Sequence, residues 1–272
     1  MKGNAAGRRA SNNRKPARFQ LRRWLWVGLD FVFPPRCVSC GRWGARICPA
    51  CEERITWLGH PLCARCGTPL RGASTGGGHT CIHEAGLRAV RSAALFDGPI
   101  RDGLHALKYR RGLGLAQAMA EVLGRLWGGL EWRVDVLVPV PLSAKRLGER
   151  GYNQAALVAH AFGERIGLPV RENPLKRSRE TASQVGLSLT ERHLNVAGAC
   201  RAQEASRQRI LLLDDVCTTG ATLEAGACAL REAGARAVFA ITVARAASPS
   251  APRPGCALPT GQALPAIAHN RR

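Results

Sequence analysis

The sequence predicts an α/β fold built on a mainly parallel sheet, preceded by a small module stapled by metal. Three observations predict it. Short apolar runs alternate with helical spacings from Val90 to Arg245. Seven of the eleven cysteines crowd into residues 37–86, six of them in Cys-x-x-Cys pairs. The run Ile210-Leu-Leu-Leu-Asp-Asp-Val-Cys-Thr-Thr-Gly-Ala-Thr222 drives an apolar strand into two acids and a loop of small and hydroxyl residues.

The chain has 272 residues, 46% of them apolar, and a formal charge of +21. The apolar share is enough for a packed core, which excludes global disorder. The charge favours anionic ligands, whether phosphorylated small molecules or nucleic acid. Residues 1–36 form a basic segment with nine Lys/Arg against Asp30 alone. Their first twenty residues are polar and rich in Gly, Asn and Ala, and are expected to be partly disordered. Leu21-Arg-Arg-Trp-Leu-Trp-Val-Gly-Leu29 is a short apolar run with no small-residue cleavage site before Pro34-Pro35. It argues against a signal peptide and for a helix that packs on the body or touches a membrane. No stretch reaches the ~18 apolar residues of a membrane span, so a cytoplasmic protein is expected.

Residues 37–86 read as a zinc-ribbon domain. Cys37-Val-Ser-Cys40 and Cys48-Pro-Ala-Cys51 are metal-spaced rather than disulfide-spaced knuckles. So short a segment cannot fold on a core of its own, and metal binding supplies the energy. A second set begins with Cys63-Ala-Arg-Cys66 and continues at Cys81. Its fourth ligand is offered by His83, by His79 just before, or by Glu84. No open catalytic zinc is expected, because no water-activating His/Glu set accompanies the cysteines.

The α/β elements follow over residues 90–245. Ser92–Phe96 is a strand. Gly98–Tyr109 has helical spacing, with Ile100, Leu104 and Leu107 on one side. Leu113–Trp127 is a second helix, Val134–Val140 a strand and Asn153–Ile166 a helix. Arg209–Leu213 is a strand, Thr222–Ala233 a helix and Ala237–Val243 a last strand. Residues 246–272 are Pro/Ala/Ser-rich without periodicity and read as a disordered tail.

Asp214 and Asp215 at a strand end are costly unless partnered, and sugar hydroxyls would partner them. In the loop from Val216 through Cys217, Thr218, Thr219 and Gly220 to Ala221, backbone N–H groups can converge on a phosphate. Gly220 permits positive φ. The following helix turns its positive end, with Thr222, to the same spot. Upstream, Pro139-Val-Pro141 stiffens the exit of a strand. The loop after it brings Lys145, Arg146 and Arg150, whose cations suit an anion.

Leu213 to Thr222 resembles the phosphoribosyl-pyrophosphate (PRPP) motif of type I phosphoribosyltransferases. The resemblance implies that Asp214 and Asp215 hold the ribose 2′ and 3′ hydroxyls and that Thr218 to Thr222 hold the 5′-phosphate. Cys217 stands where an apolar residue is usual. Val138-Pro-Val-Pro-Leu-Ser-Ala-Lys-Arg-Leu-Gly-Glu-Arg-Gly-Tyr-Asn-Gln154 resembles the ComF family. So do Leu107-Lys-Tyr109 and the segment Arg179–Asn195, with Thr181, Gln184, Leu187-Ser188 and Arg192. That family begins with paired zinc knuckles, so the resemblance spans about residues 37–245; Glu84 stands where a cysteine is usual. It implies a sheet of type I phosphoribosyltransferase type, the Lys145–Arg150 loop at the pyrophosphate, and Arg192 in a cover over the site.

The reaction so implied displaces pyrophosphate from C1 of the ribose with Mg²⁺ bridging substrate oxygens. Nothing in the sequence identifies the acceptor. Cys37 sits in a zinc knuckle, so a glutamine-using amidotransferase is not expected. The alternative is a non-catalytic protein that binds PRPP or single-stranded DNA. ComF relatives are linked with uptake of transforming DNA, which implies single-stranded DNA and competence or recombination proteins as partners.

Overall fold

In a computed structural model, the described residues are 34–70, 86–109, 114–177, 200–203, 205 and 207–247. Cys81, His83, Arg192, residues 1–20 and residues 248–272 of the expected tail lie outside them.

After a one-turn helix α1 (Pro49–Glu52), the chain forms β1 (Ala89–Leu95), α2 (Gly98–Tyr109), α3 (Leu115–Trp127) and β2 (Val136–Pro139). Next come α4 (Ala144–Arg150), α5 (Gln154–Ile166), β3 (Leu175–Arg177) and β4 (Cys200–Ala202). The last elements are β5 (Arg209–Cys217), α6 (Ala221–Glu232) and β6 (Ala237–Arg245). Four strands pair in the order β1-β6-β5-β2, all parallel. The short β3 and β4 pair antiparallel beside them.

The central strands are apolar on both sides because both faces are covered. Leu211 and Leu213 join Ile241 and Val243 in a core with Leu104, Met119, Leu123 and Phe162 from α2, α3 and α5. Ile210 and Leu212 point to the other face, where Val238 and Ala240 meet Leu223, Ala227 and Leu230 of α6. The helix and strand positions agree with the periodicity. The N-cap of α5 is Asn153, whose side chain accepts the Ala155 N–H at 3.0 Å.

Two readings need correction. β5 does not stop at Leu213: its ladder with β6 continues through Asp214↔Thr242 to Cys217↔Arg245. Both acids, Val216 and Cys217 are therefore strand residues, and only Thr218, Thr219 and Gly220 make the turn. The segment after Pro141 is not a loop. Residues 144–150 form α4, whose N–H of Arg146 meets the Ser143 Oγ at 3.4 Å. Gly151 ends α4 with φ of 77°, a left-handed turn that suits glycine. No residue of α4 is buried, so the sequence holds no apolar stripe to reveal it.

The cysteine-rich module covers the outer edge of β1. Leu58 N–H bonds Ala93 O at 3.0 Å and Leu95 N–H bonds Thr56 O at 2.8 Å. Covering an edge strand this way removes a template for unwanted pairing. Further ties are Ser39 Oγ donating to Asp102 Oδ2 at 2.8 Å, and Arg125 on Glu52 and over the Trp57 ring.

Candidate sugar-phosphate site and metal centre

The strand ends converge at the carboxyl edge of the sheet, where β5 presents Asp214 and Asp215. Asp215 is buried, and its Oδ2 meets Lys108 Nζ at 2.5 Å. Lys108 sits in the last turn of α2. Its part was missed in the sequence, although Leu107-Lys-Tyr109 had been singled out; the i to i+107 pairing leaves no local pattern. Asp214 Oδ1 accepts the Asp215 N–H at 2.8 Å, and Asp215 Oδ1 accepts the Val216 N–H at 2.9 Å. Asp214 keeps some solvent exposure, yet the protein packed around it pushes its carboxyl well above the usual range. The charge of Asp215 adds to that rise, and Lys108 opposes it.

Past Cys217 the turn is open. Thr218 is exposed and Thr219 half-buried, and Gly220 takes φ of 85°, left-handed backbone that a side chain would strain. The N–H groups of Thr218, Thr219 and Gly220 have no hydrogen-bond partner among the described residues. Thr219 Oγ1 accepts the Ala221 N–H at 3.3 Å. The N-cap of α6 is Gly220, which has no side chain to cap it, so apart from the Ala221 N–H held by Thr219 the first turn, with half-buried Thr222, faces the turn. Cys217 is buried, and burial pushes its thiol up, away from the thiolate.

Lys108, which holds Asp215, also lines a cavity of about 480 Å³ with Tyr109, Arg146, Glu149, Arg150 and Tyr152. Arg150 lies over the Tyr109 ring, and Tyr152 OH donates to Leu107 O. Of the three predicted cations, Arg146 and Arg150 line the cavity; Lys145 is exposed on α4 and does not. Arg192 lies outside the described residues.

In the first knuckle pair, the Sγ atoms of Cys37, Cys40, Cys48 and Cys51 all lie within 4.8 Å of one another. Cys40 and Cys48 sulfurs are 3.6 Å apart. Thiolates ~2.3 Å from one tetrahedral zinc stand ~3.8 Å apart, so the cluster fits a structural zinc. Burial alone would raise the Cys37 thiol, but the backbone donors of Cys40, Cys48 and Ser39 outweigh it and bring it down to about 6. Burial and the neighbouring thiols push Cys51 up to about 12. Without a cation, four such thiols cannot all ionise; zinc removes the conflict. In the second set, Cys66 is buried and pushed up to about 11, chiefly by desolvation. Arg245 Nη2 donates to Cys66 O, and Arg91 Nη1 to Cys63 O at 3.3 Å. Cys81 and His83 lie outside the described residues.

Residues 28–83 match the family model described as a double zinc ribbon domain. The DNA utilization protein YhgH of Escherichia coli is 30% identical over 208 residues, covering 74% of this chain and 90% of that protein. The chain belongs to the ComF family. Competence protein F of Haemophilus influenzae is 27% identical to this ComF protein, covering 78% of it and 97% of the relative. Competence protein ComFC of Bacillus subtilis is 28% identical, covering 74% and 84%. Among solved structures, the glutamine PRPP amidotransferase of B. subtilis matches 52% of the ComF chain and 30% of its own, with a TM-score of 0.36 and 21% identity. An adenine phosphoribosyl transferase of Trypanosoma brucei matches 56% and 81%, with a TM-score of 0.35 and 10% identity. Among the described residues of the ComF chain, no helix is long and apolar enough to cross a membrane.

Proposed function

We propose that this protein binds PRPP with Mg²⁺ and transfers its phosphoribosyl group to an acceptor. One observation carries the reading: two acids near the end of β5 stand two residues before a turn whose three N–H groups are open and which leads into a helix with glycine at its N-cap. Asp214 and Asp215 would accept the ribose hydroxyls. Thr218, Thr219, Gly220 and Thr222 would hold the 5′-phosphate, with Val216, Cys217 and Ala221 supplying backbone around it. Lys108, Arg146 and Arg150 would face the pyrophosphate, and Lys145 and Arg192 would complete the charge around it.

The donor set also fits the metal. Lys108 already compensates Asp215, while burial and the Asp215 charge raise the carboxyl of Asp214. A substrate-bound Mg²⁺ beside them would offset the repulsion between the two carboxylates and neutralise the leaving pyrophosphate. The chain's own part is to orient the ribose and to place anionic oxygens against the positive charge of a ring losing its leaving group. A second zinc on Cys63, Cys66, Cys81 and His83 belongs to the same reading.

The names of the relatives favour a setting in DNA uptake or use, with single-stranded DNA and competence proteins as partners. A non-catalytic PRPP-binding protein in that setting is the alternative. Calorimetry with PRPP and Mg²⁺ tests the binding, and pyrophosphate release across bases and amines separates enzyme from binder. A concentration of ~100 Kd should stabilise the fold by ~2.7 kcal/mol. Asp214→Asn with Asp215→Asn should abolish both heat and stabilisation while the fold stays intact. Unchanged binding in that variant sinks the assignment.

A further inference from the structure

A second cavity, larger than the one lined by Lys108, lies away from the acid pair. It holds about 810 Å³ and opens at the amino edge of the sheet. There the chain enters β1 at Arg88, β5 at Arg209 and β6 at Ala237. Along β5, Arg209 and Asp215 are six residues apart, about 20 Å of strand. The two sites are therefore distinct and face opposite ways.

Six arginines line this cavity against one acid, Glu131. Two of them are already engaged. Arg209 grips Asp135 with Nη2 to Oδ1 at 2.6 Å and Nε to Oδ2 at 3.1 Å. Arg231 Nη1 donates to Ala235 O at 2.6 Å. Arg88, Arg133 and Arg236 are exposed; Arg88 and Arg133 have no acidic partner among the described residues, and Arg236 feels only the charge of Asp135, which Arg209 already holds. Unpaired like charges around one cavity repel one another, and an anion relieves that cost.

An aromatic wall completes the lining. Trp132 is half-buried and braced on Phe239, with ring centroids 4.8 Å apart and tilted by 31°. Arginines alone would suit any anion. A braced tryptophan among them suits an anion that also carries a planar ring, because stacking needs a ring held in place before the ligand arrives. Acidic peptides would use the guanidinium groups and leave Trp132 idle.

We propose that this cavity is a second anion site, one that takes a nucleoside polyphosphate, with phosphates on Arg88, Arg133 and Arg236 and the base against Trp132. The same chemistry is offered by a free nucleotide and by a unit of single-stranded nucleic acid. The site stands apart from the PRPP reading and survives its failure.

The test uses the zinc-loaded full chain at physiological salt. ATP, a short oligothymidylate and polyglutamate are titrated separately, with tryptophan fluorescence and calorimetry as readouts. Arg88→Ala with Arg236→Ala should weaken nucleotide binding by about tenfold or more per guanidinium removed. Trp132→Leu should weaken it by about tenfold and remove most of the fluorescence change. Asp214→Asn with Asp215→Asn should leave this affinity unchanged, and the arginine variants should leave PRPP binding unchanged. Binding of ATP identifies the free nucleotide as the source, and binding of the oligonucleotide alone identifies the polymer. No binding of either, equal binding of polyglutamate, or affinity that survives the arginine variants would overturn the proposal.

Discussion

The zinc module and the parallel sheet stand side by side in one chain, yet different physics holds each together. Around the first knuckle pair the buried residues are Cys37, Cys48 and Cys51, with only Ala45 and Ile47 packed against them. Around β5 and β6 the buried residues are Leu211, Leu212, Leu213, Ile241 and Val243, covered by helices on both faces. The first region has chemistry where a core should be. The second has a core, and places its chemistry only at the rims. A segment too small to exclude water must borrow its folding energy from a ligand.

The comparison predicts a graded set of responses. Stripping zinc, or replacing Cys37 and Cys51 with Ser, has the largest effect. Apparent zinc binding is worth roughly 10–16 kcal/mol at neutral pH, all of it local to the knuckle. Hydrogen exchange should then show residues 37–51 unprotected while β5 and β6 stay protected. Simultaneous loss of both would break the contrast.

Leu212→Ala comes next, at about 2–5 kcal/mol, because Leu212 is fully buried between β5 and α6. Chemical denaturation should show the loss, and zinc content should stay unchanged.

The smallest effect has the opposite sign. Asp214 has a carboxyl pKa raised above its unfolded value, so folding favours the protonated form. As pH rises from the unfolded carboxylate range of about 3.9 through the raised value, stability is lost. Asp214→Asn should therefore raise the melting midpoint of the ligand-free protein at neutral pH. It should also flatten the dependence on pH above ~4. A lower midpoint would mean that the carboxylate stabilises the sheet rather than being tolerated by it.

Most of the sheet was legible because its signals are local. Helix α2 spans the predicted Gly98–Tyr109, and β5 and β6 begin at the predicted Arg209 and Ala237. The strand ends were read short, since periodicity stops at the last apolar residue while the hydrogen-bond ladder runs on past Asp214 to Cys217. Helix α4 was invisible because nothing on it is buried. β3 and β4 were missed because each has three residues and their pairing joins positions 23 to 27 apart.

At the site, the acid pair and the small-residue turn were legible as a motif. Two things were not. Lys108 approaches Asp215 from a helix far away in sequence, and only the fold brings them together. The arginines of the amino-edge cavity are scattered from Arg65 to Arg236, so no window of sequence contains the cluster.

Helix α2 has one more consequence. Near its start, Asp102 takes the hydroxyl of Ser39, which lies between two zinc-spaced cysteines. In its last turn, Lys108 reaches the carboxylate of Asp215. The six-residue step from Asp102 to Lys108 is a stiff rod about 9 Å long. Metal cluster and acid pair are thus mounted on one lever, mechanically in series. A tilt of the knuckle would pull on the helix that carries Lys108.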